Sequence, residues 1–298
     1  MKVTELAPAK LNLTLEVGEK RSDGYHEVQS VMSCAALYDE ITLESGVGGG
    51  IVMDCDCGGL PCDETNLCVR AAQLFYAKTG VACDGLHITL KKRIPMQAGL
   101  GGGSADAAAG LGGLRKLYRP EMMIKELERM AIDLGSDVPF CVRSVTAMVR
   151  GKGEQLLKLP KLPLCWFVIC KPEVSFSTAE MYAKLDEKKP ACAIDTLGLI
   201  KALEYQDMLE ISDRLGNRFE GVLEPDSEIF TIKNKLLALG ARNACMSGSG
   251  SAVYGLFTEE EQARAAAAAL QKAYPQTWFE NRKHRPYCRK IYIGRCFL

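Results

Sequence analysis

The segment that most constrains this chain is glycine-rich and lies between a predicted strand, 87–90, and a predicted helix, 104–118. It reads Pro95-Met96-Gln97-Ala98-Gly99-Leu100-Gly101-Gly102-Gly103-Ser104. Because glycine has no Cβ, successive backbone N–H groups can point into one concavity. We expect Ser104 to cap the helix, with Asp106 in its first turn. Backbone donors beside a helix N-terminus predict a loop that binds polyphosphate.

Three alternative kinds of loop fit this segment less well. A Walker A loop needs a lysine followed by serine or threonine after its glycines, whereas this chain continues with Ser104-Ala105-Asp106. A dinucleotide-binding fold needs an acidic residue at the end of a strand about 20 residues later, but that position falls in a predicted helix, 122–134. A flexible linker is disfavoured because the loop joins a strand directly to an alanine-rich helix.

Length and charge exclude several classes of protein. The chain has 298 residues, which suits two modest domains or one large α/β unit. Lys plus Arg and Asp plus Glu number 37 each, so the chain lacks the positive charge of a general nucleic-acid binder. No apolar run reaches the roughly 18 residues of a membrane span or has the form of a signal peptide. We expect a cytoplasmic protein that binds neither nucleic acid nor membranes.

The 13 cysteines are scattered along the chain and predict reduced thiols. One group, Cys55, Cys57, Cys62 and Cys68, could supply four thiolates to zinc. The group contains no Cys-x-x-Cys pair, and Cys68 falls in a predicted helix. The favoured interpretation is that these are small buried or surface residues of a reducing compartment.

The order of predicted elements suggests two halves. The first half begins with short strands near 11–17, 26–35, 41–43 and 51–53, and continues with a helix over 66–78 that ends at Gly80. A composition change at Leu159-Pro160 marks the predicted boundary, which divides the chain into domains 1–159 and 160–298. The second half reads as a buried strand, 164–170, several helices between 178 and 239, a strand pair around 247–251 and a helix, 259–273. This pattern predicts an α+β fold.

Two further segments carry candidate catalytic residues. Asp137, at a turn among apolar neighbours, is placed to accept a proton from an alcohol during phosphoryl transfer. Lys10 and Asn12 share one face of the first strand and could point into a cleft. The alternatives stay open at this point, because a turn aspartate commonly accepts backbone N–H groups and a strand lysine commonly lies at a solvated edge.

Together these segments resemble the GHMP kinase superfamily over nearly the whole chain. Its three motifs occur in order: Ala7-Pro8-Ala9-Lys10, the glycine loop, and Met246-Ser247-Gly248-Ser249-Gly250-Ser251-Ala252. Within the superfamily, Arg21-Ser22-Asp23-Gly24-Tyr25-His26 resembles the diphosphocytidyl-methylerythritol kinases. Gly135-Ser136-Asp137-Val138-Pro139 and Gly151-Lys152-Gly153-Glu154 strengthen that similarity.

The resemblance implies a fold and a reaction. The fold would combine an N-terminal domain like the second domain of ribosomal protein S5 with a ferredoxin-like C-terminal domain. ATP would phosphorylate the 2-hydroxyl of 4-diphosphocytidyl-2-C-methyl-D-erythritol in the cleft between them, with Mg²⁺ as the metal. The protein would be a monomer or weak homodimer that binds small molecules.

The resemblance also implies roles for particular residues. Lys10 and Asp137 would form the catalytic pair, with Asp137 as the base. Tyr25 would stack on the cytosine, His26 would hydrogen-bond to it, and Tyr182 would close its other face. Asn12 would contact the methylerythritol end. Ser104 would also bind Mg²⁺. ATP would be bound by the glycine loop and its flanks, namely Pro95, Met96, Gln97, Ala98, Gly99, Leu100, Gly101, Gly102, Gly103, Ser104 and Ala105, and on the adenine side by Asn66 and Lys92.

Several alternatives to these roles remain. Tyr25 and Tyr182 could be half-buried surface aromatics, His26 a structural histidine, and the late Ser-Gly-Ser-Gly motif a tight hairpin. Gln97-Ala98 stands where related loops often carry more glycine, which leaves the set of amide donors undefined. Another small-molecule kinase, a silent binding paralogue and an RNA-binding protein are the competing functions. The basic C-terminal segment from Asn281 has no function that we can infer.

Overall fold

The computed structural model describes residues 1–190 and 193–281, whose strands form two sheets. The strands of the first sheet are β1 (Lys2–Lys20), β2 (His26–Ser45), β3 (Ile51–Cys55), β4 (Leu86–Lys91), β5 (Ala147–Gly151), β6 (Gln155–Lys158) and β8 (Gly216–Asn217). The strands of the second sheet are β7 (Trp166–Cys170), β9 (Asn243–Met246), β10 (Val253–Phe257) and β11 (Thr277–Asn281).

Helices lie between and against these sheets. Those of the N-terminal half are α1 (Leu67–Thr79), α2 (Gly102–Tyr118), α3 (Ile124–Ala131) and α4 (Val138–Arg143). Those that follow are α5 (Thr178–Lys188), α6 (Thr196–Glu204), α7 (Met208–Asp213), α8 (Glu228–Ala238) and α9 (Glu260–Gln271), with a 3-10 turn over Arg218–Val222. None of the helices in the described ranges is long and apolar enough to cross a membrane.

The first sheet is built on the long antiparallel pair β1–β2. Its strand order is β3-β4-β2-β1-β8, and β5 and β6 extend the other end of β2. Alternation in β1 places Leu11 and Leu13 in the core, while Lys10 and Asn12 on the other face are also buried. Because both faces of this strand are covered, polar groups on it must find partners inside the protein.

Helix α2 packs closely against this sheet because its sequence is rich in alanine and glycine. A Cβ on Gly113 would lie 2.6 Å from Cδ1 of Leu43 in β2, so a larger residue there would force the Leu43 side chain to move. Helix α1 packs beside α2; its first turn is capped by Asn66, whose side chain accepts the Cys68 N–H, and it ends at Gly80 with φ +66°. The phosphate-loop segment therefore enters a helix that is fixed by the core.

The second sheet is antiparallel with the order β11-β7-β10-β9. Its chain order is strand, helices, strand, strand, helix, strand, which is the ferredoxin-like arrangement. A second hydrophobic core lies between this sheet and helices α8 and α9, with Ile232, Leu236, Ala263 and Ala266 among its buried residues. The predicted two-part α+β fold is confirmed.

Two strands of the first sheet depart from the sequence-based expectation. The strands predicted at 26–35 and 41–43 are one continuous strand, β2. The short strand β8 was not predicted; it pairs parallel with β1 through Thr14 and Leu15, so part of the second half belongs to the first sheet. The domain boundary at 159 stays a prediction. The basic segment that follows Asn281 lies outside the described residues.

Candidate active site

A large cavity, of about 1330 Å³, opens between the glycine loop and the start of α5. This exceeds the roughly 300–1,000 Å³ of an ordinary small-molecule pocket, so the volume suits two ligands. Its lining includes nearly all of the site residues inferred from the sequence: Lys10, Asn12, Tyr25, His26, Asn66, Lys92, Pro95, Met96, Gln97, Ala98, Gly99, Leu100, Gly101, Gly102, Gly103, Ser104, Asp137 and Tyr182. Ala105 is instead buried in the hydrophobic core.

The glycine loop enters α2 earlier than predicted. The helix begins at Gly102 and its N-cap is Gly101, with φ +67°, so the expectation that Ser104 caps the helix is wrong. Asp106 accordingly lies beyond the first turn. A side chain at Gly101 would be strained by the positive φ, and its Cβ would lie 2.7 Å from Cγ of Lys10. Glycine at this position lets the helix N-terminus and its free N–H groups lie against Lys10.

The late motif approaches the same loop, as expected. The Ser247 hydroxyl donates to the Gly99 carbonyl at 2.9 Å, and the Ala252 N–H donates to the Ala98 carbonyl at 3.0 Å. A Cβ on Gly99 would lie only 2.0 Å from the Ser247 carbonyl oxygen, so the contact requires glycine. The turn between β9 and β10 therefore fixes the shape of the loop.

The Gln97-Ala98 part of the loop has a defined conformation. Gln97, not Ala98, has the left-handed backbone conformation, with φ +51°. The Ala98 methyl is buried in the core, and its carbonyl binds the late motif. Ala98 thus anchors the loop to the hydrophobic core and to the late motif.

Lys10 lines the cavity and is fixed on several sides. Its backbone N–H donates to the Leu100 carbonyl at 2.9 Å, which ties β1 to the glycine loop. Its side chain is 5% exposed, and Nζ lies 3.9 Å from Oδ2 of Asp137. This burial shows that Lys10 does not lie at a solvated edge. Its ammonium places a positive charge beside the Asp137 carboxylate and near the N-terminus of α2.

Asp137 holds its carboxylate free of the backbone. It occupies the N-cap position of α4, but its side chain makes no capping hydrogen bond. The side chain is 33% exposed and lines the cavity. The alternative of a turn aspartate that satisfies backbone donors is therefore not what this structure contains, and the carboxylate can accept a proton or a hydroxyl hydrogen bond from a ligand.

Asn12 positions Lys10. Its side-chain oxygen accepts from Lys10 Nζ at 2.6 Å and from the Gly248 N–H at 2.9 Å, while its amide nitrogen donates to the Ser30 hydroxyl at 2.8 Å. We expected Asn12 to contact the polyol end of a substrate. Its amide instead links β1, β2 and the late motif, so direct contact with a ligand stays a prediction.

The short strand β8 supports the same network from the other side. The Asn217 amide donates to the carbonyls of Met246 and Gly248, each at 2.7 Å. Since the Gly248 N–H binds Asn12, the unpredicted strand helps to fix Lys10.

Lys92 lies beneath the start of α2 between two buried carboxylates. Its ammonium pairs with Asp39, and it donates to Oδ2 of Asp106 at 2.8 Å. Oδ1 of Asp39 accepts the N–H groups of Arg93 and Ile94 at 2.5 and 2.8 Å. We expected Lys92 on the adenine side as a ligand. The ion pairs tie β2, the entry to the glycine loop and α2 together. Lys92 also lines the cavity, and its contact with ATP stays a prediction.

Asp106 is the member of this triad with an unsatisfied carboxylate oxygen. Within the described residues its Oδ1 is buried without a hydrogen-bond partner. Burial, together with the negative charge of Asp39, raises the pKa of Asp106 to about 8 against the opposing effect of Lys92. The pKa of Lys92 is raised by its two carboxylates despite burial. The triad therefore places a carboxyl group with a raised pKa in α2, next to the phosphate loop.

Aromatic residues form the opposite end of the cavity. The His26 ring stacks on Tyr182, with centroids 4.8 Å apart and an angle of 24° between the rings. Phe219 packs edge-on against Tyr182 at 5.0 Å. Burial raises the pKa of Tyr182 to about 12. Because His26 already covers part of Tyr182, a ligand base cannot lie between those two rings.

Tyr25 is the exposed aromatic of this end. It is 55% exposed, and Nζ of Lys152 lies 4.9 Å from its ring centroid. Its place in a turn before β2 leaves one ring face available to a ligand. A large exposed aromatic beside a deep cavity is a natural stacking surface for a base.

Two residues of this end were not identified from the sequence. Lys152 stands in the Gly-Lys-Gly-Glu segment, which we used only as a sign of resemblance. Asp186 binds His26, with 2.7 Å between Oδ1 and Nε2. The signal for Asp186 was its spacing, since it follows Tyr182 by four residues in a helix and so shares its face.

The remaining candidates have structural partners. The Asn66 amide donates to the Pro61 carbonyl at 2.7 Å while its oxygen caps α1, so it shapes the adenine side of the cavity. Among the cysteines that the structure describes, Cys62 is exposed and Cys68 is buried as a free thiol. Within the described ranges, no three His, Cys, Asp or Glu side chains are grouped closely enough to hold a metal ion.

Comparison with known proteins identifies the family. The GHMP kinases N terminal domain matches residues 66–144, and the GHMP kinases C terminal domain matches residues 199–276. A 4-diphosphocytidyl-2-C-methyl-D-erythritol kinase of Macrococcus caseolyticus is 43% identical over 90% of this chain and 95% of its own length. The chain belongs to the GHMP kinases, and within them to the 4-diphosphocytidyl-2-C-methyl-D-erythritol kinase family.

Other members of this kinase family are similar to this chain over nearly its whole length. A relative of the same name from Listeria monocytogenes is 38% identical over 99% of this chain and 96% of its own length. A crystal structure of 4-(cytidine 5'-diphospho)-2C-methyl-D-erythritol kinase superposes with a TM-score of 0.79 at 35% identity, covering 94% of this chain and 98% of that one. As a GHMP kinase the chain uses ATP as phosphate donor for a small molecule.

Proposed function

We propose that this kinase transfers the γ-phosphate of ATP to the 2-hydroxyl of 4-diphosphocytidyl-2-C-methyl-D-erythritol, a step of isoprenoid synthesis by the non-mevalonate pathway. The observation that carries the proposal is the single cavity with two chemically different ends. One end is a glycine loop at a helix N-terminus, and the other is a set of aromatic side chains. Lys10 and Asp137 lie in the same cavity.

The glycine loop is the ATP end. Free N–H groups at the start of α2 and the positive end of the helix dipole favour a polyphosphate there. The loop from Leu60 to Leu67 lines the neighbouring wall and would lie against the adenine. Asn66 fixes that wall, since its amide binds Pro61 and caps α1 at the same time.

The aromatic end would hold the cytosine. Tyr25 would stack on the base with its exposed face, and His26 would hydrogen-bond to the edge of the base. Tyr182 lies behind His26, so its role is to support the imidazole as well as to close the pocket. A kinase for a smaller alcohol, such as homoserine or mevalonate, has no base to stack and gains nothing from this end.

The transfer itself needs positioning and charge neutralisation more than covalent chemistry. Asp137 would accept the proton of the attacking hydroxyl, since its carboxylate is free and open to the cavity. Lys10, whose ammonium lies 3.9 Å from that carboxylate, would offset negative charge on the transferring phosphoryl group. Asn12 holds the Lys10 ammonium in place by accepting a hydrogen bond from it at 2.6 Å.

The donor set suits Mg²⁺ bound mainly by phosphate oxygens. Magnesium is usually held by one or two protein oxygens together with substrate phosphates and water. The Ser104 hydroxyl, in the first turn of α2, lines the cavity and is the protein oxygen that would join the phosphates. Bound there, the ion would neutralise phosphate charge.

Two alternative functions are separable by experiment. A silent binding paralogue would retain ligand binding without turnover, and the free carboxylate of Asp137 argues against it. An RNA-binding role would show salt-dependent filter binding, and the zero net charge argues against that. Cytoplasmic location and a monomeric or weakly dimeric state stay predictions from the sequence.

The test is ADP release with MgATP and each of four acceptors. We expect turnover with 4-diphosphocytidyl-2-C-methyl-D-erythritol and background rates with homoserine, mevalonate and galactose. Turnover on one of the three controls would retain the kinase and refute the substrate. Absence of ADP release with all four acceptors would favour the silent paralogue.

A further inference from the structure

His26 and Asp186 form a charge-assisted pair that phosphoryl transfer does not require. His26 begins β2, is 8% exposed and lines the cavity. Its Nε2 lies 2.7 Å from Oδ1 of Asp186 in α5, although the two residues are 160 positions apart in the chain. The contact therefore joins the two halves of the fold at the base-binding end.

The charges around Asp186 determine which atom carries the proton. The pKa of Asp186 is lowered, chiefly by its hydrogen bond with His26, and Lys20 Nζ lies 3.9 Å from its Oδ2. An ionised carboxylate can only accept hydrogen bonds. Nε2 of His26 must therefore be the donor, and in the neutral ring the lone pair resides on Nδ1.

The ring that carries this lone pair is held rigidly. His26 stacks on Tyr182, which lies one helical turn before Asp186 on the same face of α5. Within the described residues, Asp186 supplies the hydrogen bond to Nε2 and no hydrogen bond to Nδ1 is present. Nδ1 is thus the ring atom left for a ligand.

A fixed acceptor distinguishes the two common pyrimidine bases. Cytosine carries an exocyclic amino group, which donates hydrogen bonds, where uracil carries a carbonyl oxygen, which accepts them. A bare Nδ1 can bind the amino group, whereas it would oppose the carbonyl, acceptor against acceptor. A site built around a hydrogen bond strongly rejects an analogue that cannot make it.

We propose that Asp186 is a positioning residue that fixes the tautomer of His26 and thereby selects an aminopyrimidine over an oxopyrimidine. This inference rests on the proposed function, because it assigns the base specificity of the same cavity. Asp186 acts through His26 and does not touch the reacting atoms.

Kinetics of Asp186→Asn provide the first test. The new amide can donate to Nε2 and so move the ring proton to Nδ1. We expect KM for the cytidyl substrate to rise about tenfold, with kcat and KM for ATP nearly unchanged. The preference for the cytidyl substrate over its uridine analogue should fall by a similar factor. An unchanged preference would overturn the proposal.

The chain offers a matched control. His87 pairs with Asp54 in the same way, with 2.7 Å between Nε2 and Oδ2, but neither residue lines the cavity. Asp54→Asn should leave both KM values and the base preference unchanged. An equal loss of preference in both variants would overturn the proposal, since it would show a general effect on the fold.

A second measurement needs no turnover. The chain has three histidines, so long-range ¹H–¹⁵N correlation spectra of the full-length protein are readily assigned with His26→Gln and His87→Gln variants. We expect His26 to show the Nε2–H tautomer in the wild type and to lose it in Asp186→Asn. The Nδ1–H tautomer in the wild type would overturn the proposal. If the cytidyl substrate is not turned over, the proposed function fails while this spectrum still decides the role of Asp186.

Discussion

At the residue scale, the proposed catalysis depends on a carboxylate that makes no capping hydrogen bond to the backbone. Asp137 stands at a helix N-cap without capping the helix, and the ammonium of a buried lysine lies 3.9 Å away. A buried cation is expensive unless it has partners. Asn12 and Asp137 supply them for Lys10, and the same charge is then available to the reaction.

Asp137→Asn should separate chemistry from binding. We expect kcat to fall by about 10²-fold or more, since a general base contributes roughly 10²–10⁴-fold, while KM for either substrate changes little. Steady-state kinetics check this. Asp133→Asn, four residues earlier and half exposed, is the control and should behave as wild type. Near-wild-type kcat in Asp137→Asn would refute the base assignment.

Tyr25→Ala should weaken one substrate only. Loss of a stacking surface is worth roughly 1–3 kcal/mol per base, so KM for the cytidyl substrate should rise about 5- to 150-fold while KM for ATP stays constant. Tyr205, 82% exposed and outside the cavity lining, offers a control in Tyr205→Ala. Equal loss of affinity for both substrates would indicate damage to the fold and contradict the stacking role.

The location of site residues was predictable from the sequence only where a motif carried it. Lys10, Tyr25 and Asp137 were placed through resemblance, and the structure brings them to one cavity. Asp39 was missed as a partner of Lys92 because the two are 53 positions apart, one within β2 and the other just beyond the end of β4. The partner of His26 was missed for the same reason. Long-range ion pairs leave no local pattern in a sequence.

At the scale of elements, the glycine loop is shaped from three sides. Leu100 binds β1, Gly99 and Ala98 bind the late motif, and the Lys92 triad holds the start of α2. The sequence predicted the loop and its helix but misplaced the cap by three residues. Serine is a common N-cap, yet here the positive φ of Gly101 and its contact with Lys10 decide where the helix begins.

A pair of glycine substitutions in α2 and at its N-cap tests this geometry. Gly101→Ala should cost about 1–3 kcal/mol and lower kcat/KM at least tenfold, because the methyl would displace Lys10. Gly112→Ala, in the same helix with open space around its Cβ, should be neutral or stabilising by up to about 1 kcal/mol. Chemical denaturation and steady-state kinetics measure both. A fully active Gly101→Ala enzyme would contradict the loop geometry.

The buried triad predicts a pH dependence of stability. The pKa of Asp106 is raised to about 8 in the folded state, above its ordinary value of 3.8. The stability that depends on its neutral form is therefore fully present below about pH 4 and is lost as the pH rises towards 8. Relative to Asp106→Asn, which cannot ionise, the wild type should lose free energy of unfolding over this window, by at most about 1.4 kcal/mol per pH unit.

Urea denaturation of both proteins at pH 5, 6, 7 and 8 measures this difference. Lys92 does not complicate the window, because its pKa is raised from an ordinary value of 10.5. A difference between the two proteins that stays constant from pH 5 to 8 would show that Asp106 is ionised throughout, contrary to the effect of its burial.

At the scale of the whole molecule, the cavity joins the first sheet and its helices to the late motif and α5. The sequence pattern predicted an α+β fold in two halves because alternation, helix caps and glycine stops are local signals, whereas the two named architectures came from the resemblance. It could not predict that the two-residue strand β8 returns to β1, since two residues carry no periodicity. The pairing of β8 with β1 places Asn217 where its amide can bind the late motif.

The most direct test of the proposed reaction is which hydroxyl receives the phosphate. The 2-carbon of methylerythritol carries a methyl group and no hydrogen, so a phosphate on its oxygen has no proton three bonds away, whereas a phosphate on a neighbouring hydroxyl does. In a proton-coupled ³¹P spectrum of the product, we expect a new phosphomonoester singlet, formed in equal amount with ADP. A doublet or triplet for the new resonance would contradict the placement of the 2-hydroxyl between Asp137 and the glycine loop.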